Sequence, residues 1–188
     1  GILIPENPRI TQEVIIPHSA CAGAKDGQVI SAKIVQQPAT RVQPVGEVVE
    51  VLGERMDPGM EIDIAIRSYD IPAEFPPEVL DQIAGISAEV LEEDKQHRVD
   101  LRDVPLVTID DESAKDFDDA VCAWKTKSGS WKLLVAIADV SHYVRPGTPL
   151  DDEGRTRGNS VYFPGQVVPM LPELLSNGLC SLNPHVDR

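Results

Sequence analysis

The chain has 188 residues, 41% of them hydrophobic, which suits one ordinary domain or two small ones with a buried core. A formal net charge of −14 works against functions that need a basic surface, nucleic-acid binding among them. No apolar run approaches the roughly 20 residues of a membrane span and no signal peptide opens the chain, so no membrane partner is expected.

In the first seventy residues, Val14–Ile16, Val29–Gln36, Val45–Leu52 and Ile62–Ser68 are rich in Val and Ile with partial period-two alternation, and are predicted strands. Asp26-Gly27, Gln43-Pro44 and Asp57-Pro58-Gly59 supply turns between them. Short strands at this spacing suggest a small barrel or sandwich. From Ile71 the composition changes. Pro76-Pro77 precedes a one-face apolar pattern at Val79, Leu80, Ile83 and Ala84, the mark of a helix with proline at its start. Acids then accumulate: residues 70–100 hold nine against two bases, which predicts a solvated helical linker.

Beyond it, Pro105–Ile109, Asp119–Trp124 and Trp131–Ala138 are predicted strands, with "KTKSGS" as the hairpin loop between the last two. "TPLDDEGRTRGNS" predicts a helix with Thr148 as N-cap, Pro149 in first position and Gly158-Asn159 as the stop. The apolar Ile2–Ile4 at one end and "NPHVDR" at the other carry no closing cap or turn, so the sequence is expected to be an internal piece. Cys21, Cys122 and Cys180 are odd in number and far apart. They argue against a zinc site or disulfide framework and for a reducing, cytoplasmic compartment.

One run stands out. "TIDDESAKDFDDA" places five aspartates and a glutamate against one lysine between Asp110 and Asp119, with apolar stretches on both sides. If residues 111–115 form a loop, Asp110 and the DxDD group converge at one end of a small sheet. Carboxylates within about 5 Å of one another resist common ionisation unless a cation is present. Oxygen ligands without Cys or His suit Mg²⁺ or Mn²⁺, and such a cluster suits metal-assisted phosphodiester hydrolysis. A calcium loop of the EF-hand type does not fit, because neither its glycine nor its terminal glutamate falls in place. A solvated acidic turn fits the spacing as well as a metal site does.

The context carries a resemblance. "DLRDVPLVTIDDESAKDFDDAV" followed by "VAIADVSHYVRPGTPLDDEGRTRGNSVYFPGQVVPMLPELLSNGLCSLNP" closely resembles the ribonuclease II/ribonuclease R family, nearly unbroken from Arg98 to Arg188. Upstream, "VGEVVEVLG" and "GMEIDIAIRSYDIP" resemble that family's second cold-shock domain. The resemblance implies a processive 3′→5′ hydrolytic exoribonuclease that uses Mg²⁺, with Mn²⁺ as a substitute, to release nucleoside 5′-monophosphates. The family's four aspartates fall on Asp110, Asp116, Asp118 and Asp119. Asp110, Asp116 and Asp119 would be direct or water-mediated metal ligands, and Asp118 would serve the activated water or a second ion. Asp111 and Glu112 lie outside the motif. Tyr162 matches the aromatic that stacks on a base near the RNA 3′ end. Asp139 and Arg157 also lie in family motifs, and a structural ion pair or cap accounts for each equally well. His142 and His185 have no ligand partners and are expected to be structural.

The fold expected is therefore mixed α/β (α+β). Residues 1–71 would form a cold-shock, oligonucleotide-binding (OB-fold) β-barrel lacking its first strand, with Tyr69 and Phe75 as its remaining stacking candidates. Residues 72–100 would be an acidic helical linker, and 101–188 the N-terminal part of the catalytic domain. The family's later segments supply phosphate-clamping arginines and a basic RNA-binding barrel, so the piece by itself is expected to lack activity. Expected partners are single-stranded RNA and RNA 3′ ends, ribosome or RNA-decay factors, and further copies of the chain through exposed apolar surface. The competing readings are an RNA-binding module without catalysis and an acidic scaffold without RNA.

Overall fold

The computed structural model describes residues 1–112 and 114–188, which divide into two units, Gly1–Ile71 and Pro72–Arg188. In the first unit, β1 (Ile2–Leu3), β2 (Val14–Ile15), β3 (Gln28–Gln36) and β4 (Val45–Glu54) make one sheet in the order β1-β2-β4-β3. The two outer pairings are antiparallel, and β2 meets β4 in parallel at Ile15 and Val45. Three register shifts along β3–β4 increase the local twist of this ladder. The architecture is of the cold-shock/OB type, with the sheet left open rather than closed into a barrel. Its core is Val14, Ile16 and Val48, with Leu3, Ile30 and Ala32 packed beside them. Gly46 permits this packing. A Cβ there would stand 3.0 Å from Val14 Cγ1 and 3.1 Å from Ile16 Cδ1.

The segment Ile62–Ser68 is not a strand. It belongs to α1 (Met60–Ser68), whose entry is set by Gly59 at φ +89° after the Asp57-Pro58 turn. Glu61 and Asp63 lie in the first turn and Arg67 in the last, matching the helix dipole at both ends. Isoleucines at 62, 64 and 66 mimic a strand period, but Met60 and Ile66 are the positions that become buried. Arg67 then ties the helix to β4 through a two-pronged bond to Glu50, at 2.7 and 3.2 Å.

In the second unit, α2 spans only Pro77–Ala84, and no helix continues through residues 85–100. This segment differs from a solvated helical linker. Val79 is fully buried, and Phe75, Ile83, Ile86 and Val90 pack on the same core as Ala138, Leu150, Leu171, Leu175 and Leu179. The strand predicted at Pro105–Ile109 is reduced to one bridge between Val107 and Val121. The hairpin forms as β5 (Asp119–Lys125) and β6 (Trp131–Ile137), closed by a loop in which Gly129 adopts φ +86°.

After the short α3 (Val140–Tyr143) comes α4 (Pro149–Arg157), ended by Gly158 at φ +74°. Thr148 occupies the N-cap position without capping: its hydroxyl donates to the Arg145 carbonyl at 2.7 Å instead. A second hairpin, β7 (Val161–Phe163) with β8 (Gln166–Val168), leads to a wide helical turn over Leu174–Leu179. Among the described residues, no helix is long and apolar enough to cross a membrane.

Candidate active site

The acidic run enters β5 through main-chain anchors. The Ala138 N–H donates to the Asp118 carbonyl at 2.8 Å, and the Leu182 N–H donates to the Phe117 carbonyl at 2.9 Å. Ser181 supplies the third anchor from a fully buried position. Its hydroxyl accepts from the Phe117 N–H and donates to the Lys115 carbonyl, both at 3.0 Å. The backbone on either side of Asp116 is thereby fixed by one side chain. The sequence gives little warning of this role, because a serine between Cys180 and Leu182 reads simply as a turn residue.

Asp116 and Asp118 face an open cleft of about 520 Å³, shared with Asn159, Ser160, Tyr162 and Cys180. Among the described residues, no lysine or arginine lines it. Tyr162, in the middle of β7 opposite Val167, sends its hydroxyl to Asp116 and donates across both carboxylate oxygens, at 2.7 and 2.8 Å. Partial burial, this hydrogen bond and the charges of Asp116 and Asp118 together push the Tyr162 phenol up to about 12. The Asp118 carboxyl is pushed up as well, first by partial burial and then by the charges of Asp116, Asp119 and Asp110. Asp118 thus lies within electrostatic reach of Asp110, Asp116 and Asp119, although of these four, among the described residues, Asp116 and Asp118 line the cleft. At the cleft floor, burial and the charges of Asp118 and Asp139 raise the Cys180 thiol to about 11, so it remains protonated near neutral pH.

The donor set has the chemistry of a hard divalent-cation site: carboxylate oxygens only, in mutual repulsion that a cation would relieve. Among the described residues, however, no three His, Cys, Asp or Glu side chains converge to hold a metal ion. The Tyr162 hydroxyl already engages both oxygens of Asp116.

The remaining motif residues have structural partners. Asp139 accepts from Arg98 at 2.7 Å and from the Ser141 hydroxyl at 2.9 Å. His142 pairs with Asp94 at 2.8 Å, and His185 is exposed. Arg157 is almost completely buried, its side chain 2% exposed. It donates to Glu153, to the Pro169 carbonyl and to the Glu74 carbonyl, and its guanidinium stacks 3.7 Å from the Phe75 ring centre. Phe75 is therefore a core partner of the second unit and not a base-stacking aromatic. Tyr69, at the end of α1, is 80% exposed.

Two family models match the chain: an RNB domain over residues 98–188 and a cold shock domain over residues 2–76. Ribonuclease R of Escherichia coli K12 is 56% identical over 188 residues, covering 100% of this chain and 23% of that protein. Ribonuclease R of Vibrio cholerae is 59% identical over 186 residues, covering 99% and 23%. The chain thus spans about a quarter of the length of these relatives. Among solved structures, Mycoplasma genitalium RNase R in complex with double-stranded RNA superposes with a TM-score of 0.85 at 34% identity. That match covers 97% of this chain and 34% of the other.

Proposed function

The chain belongs to the ribonuclease II/ribonuclease R family, and from that premise we propose that it carries the acidic, RNA-facing part of a processive 3′→5′ exoribonuclease. The substrate is single-stranded RNA entered at its 3′ end, and the products are nucleoside 5′-monophosphates. The observation that carries this reading is the shared cleft: two aspartates of the run and one exposed aromatic open onto the same space. Tyr162, 56% exposed, lies beside the carboxylates that would serve the scissile bond. Stacking of this kind contributes roughly 1–3 kcal/mol per base and accepts any base, as degradation requires.

Asp110, Asp116, Asp118 and Asp119 would hold Mg²⁺, or Mn²⁺ in its place. When bound, the cation supplies charge neutralisation at the phosphate and an acidified water. Asp118, whose carboxyl is pushed up first by partial burial and then by the charges of Asp116, Asp119 and Asp110, would serve the activated water or a second ion. Among the described residues no lysine or arginine lines the cleft, so phosphate recognition is assigned to basic groups outside it. The 188 residues alone are therefore proposed to hydrolyse RNA negligibly. The setting is cytoplasmic, in keeping with three unpaired cysteines.

A second reading, RNA binding without catalysis, is favoured because, among the described residues, no three carboxylates converge. RNA affinity separates the two. The catalytic reading predicts that Mg²⁺ at constant ionic strength strengthens binding of a 3′-ended oligoribonucleotide, and that Asp110→Asn removes the gain. The binding-module reading predicts a salt-sensitive affinity with the same Mg²⁺ response in both proteins.

A further inference from the structure

We propose that Ser181 is a positioning residue for the candidate active site, its buried hydroxyl setting the direction in which Asp116 presents its carboxylate to the cleft. This rests on the exoribonuclease reading above and adds to it a residue outside the aspartate motif. Ser181 is 0% exposed, and its hydroxyl is engaged by the two peptide groups that flank one residue. It donates to the Lys115 carbonyl and accepts from the Phe117 N–H, both at 3.0 Å, with Asn183 Oδ1 more distant at 3.4 Å. The first of these groups belongs to the peptide plane entering Asp116 and the second to the plane leaving it. Peptide planes are rigid, so holding both restrains the two backbone torsions of Asp116 and with them its Cα–Cβ bond.

No strand ladder holds Asp116. β5 begins at Asp119, and residues 114–118 before it run as a loop. The grip is itself anchored. The Ser181 N–H donates to the Gly178 carbonyl at 3.1 Å, and the Ser181 carbonyl accepts from Arg188 Nε at 2.9 Å. The next residue, Leu182, donates its N–H to the Phe117 carbonyl at 2.9 Å. On the cleft side, the Asp116 carboxylate meets the Tyr162 hydroxyl at 2.7 and 2.8 Å. A buried serine that merely filled space would be matched by any group of its size. A hydroxyl that orients Asp116 is instead felt across the cleft, at Tyr162. Reaction rates are sensitive to such orientation: a misplacement of about 1 Å can cost about 100-fold.

The test has a spectroscopic arm and a kinetic arm. In the 188-residue chain carrying ¹³Cζ-labelled tyrosine, the Tyr162 resonance is identified by its loss in Tyr162→Phe. Ser181→Ala should move that resonance toward the one of the exposed Tyr69, as the carboxylate turns away from the phenol. Ser181→Cys keeps a group of similar size and weakens the bonds, so it should move the resonance part of the way, and it carries the comparison if alanine costs the fold. Ile83→Ala loosens the core from α2, which makes none of these bonds, and should leave the resonance in place. In Escherichia coli ribonuclease R carrying these 188 residues, Ser181→Ala should lower kcat on single-stranded RNA about tenfold at unchanged KM, and Ile83→Ala should change neither. An unmoved Tyr162 resonance in the Ser181 variants overturns the positioning of Asp116, whatever the activity. A kcat that holds in Ser181→Ala, or falls equally in Ile83→Ala, overturns its bearing on catalysis. A parent chimera that releases no monophosphates overturns the exoribonuclease reading instead, and the Tyr162 resonance still decides the positioning.

Discussion

Ser181 does for the main chain of the acidic run what Tyr162 does for the Asp116 side chain. A fully buried hydroxyl that bonds both Lys115 and Phe117 leaves two main-chain groups unpaired when it is removed. Ser181→Ala is therefore expected to lower stability by about 1–3 kcal/mol, seen as a lower urea midpoint at unchanged slope. At this scale the sequence was legible in its chemistry and silent in its contacts. The spacing of Asp110, Asp116, Asp118 and Asp119 marks them as candidates, and Tyr162 stands out only through its motif. That the tyrosine hydroxyl would bridge Asp116, 46 residues away, depends on the meeting of a loop with strand β7, which no local pattern encodes.

Between elements, the segment after α2 is secured by individual polar contacts rather than by a helix. Asp94 accepts from the Leu91 N–H at 2.9 Å and pairs with His142 on α3 at 2.8 Å. The His142 bond first, and the Leu91 bond second, hold the Asp94 carboxyl below its ordinary 3.8. A carboxyl depressed in the folded state stabilises above its unfolded value and loses that contribution as pH falls through the folded value. Asp94→Asn should thus lower the melting temperature at pH 6, with the gap to wild type closing as the pH drops below about 4. Thermal unfolding of the two proteins across pH 2–7 checks the sign.

Elements with strong local signals were readable: the β5–β6 hairpin with its glycine loop, and α4 between proline and Gly158. The first error came at α1, where isoleucines on a short segment fit either period and a turn ending in Gly59 decided for helix. The second came at residues 85–100, where a count of acids concealed apolar anchors such as Ile86 and Val90.

Over the whole chain, the charge of −14 is the property that most opposes RNA binding. Part of the basic complement is committed: Arg55, Arg67, Lys95, Arg98, Arg102, Arg155 and Arg157, seven of the 17 lysines and arginines, pair with carboxylates. In the proposed site the chain contributes the carboxylates and an aromatic. One face of β6 is also unusually apolar for a surface: Trp131, Leu133, Val135 and Ile137 alternate along it and are 49–70% exposed. A row of this kind is suited to packing against further protein.

That relative permits the most direct test. The 188 residues, 56% identical to it along their whole length, replace the matching segment of Escherichia coli ribonuclease R, and the products released from single-stranded RNA in Mg²⁺ are weighed by mass spectrometry. The account predicts nucleoside 5′-monophosphates from the chimera and a loss of at least a hundredfold in their release on Asp118→Asn, about the contribution of a group that orients a reacting water. Undiminished monophosphate release by a correctly folded Asp118→Asn chimera would contradict it.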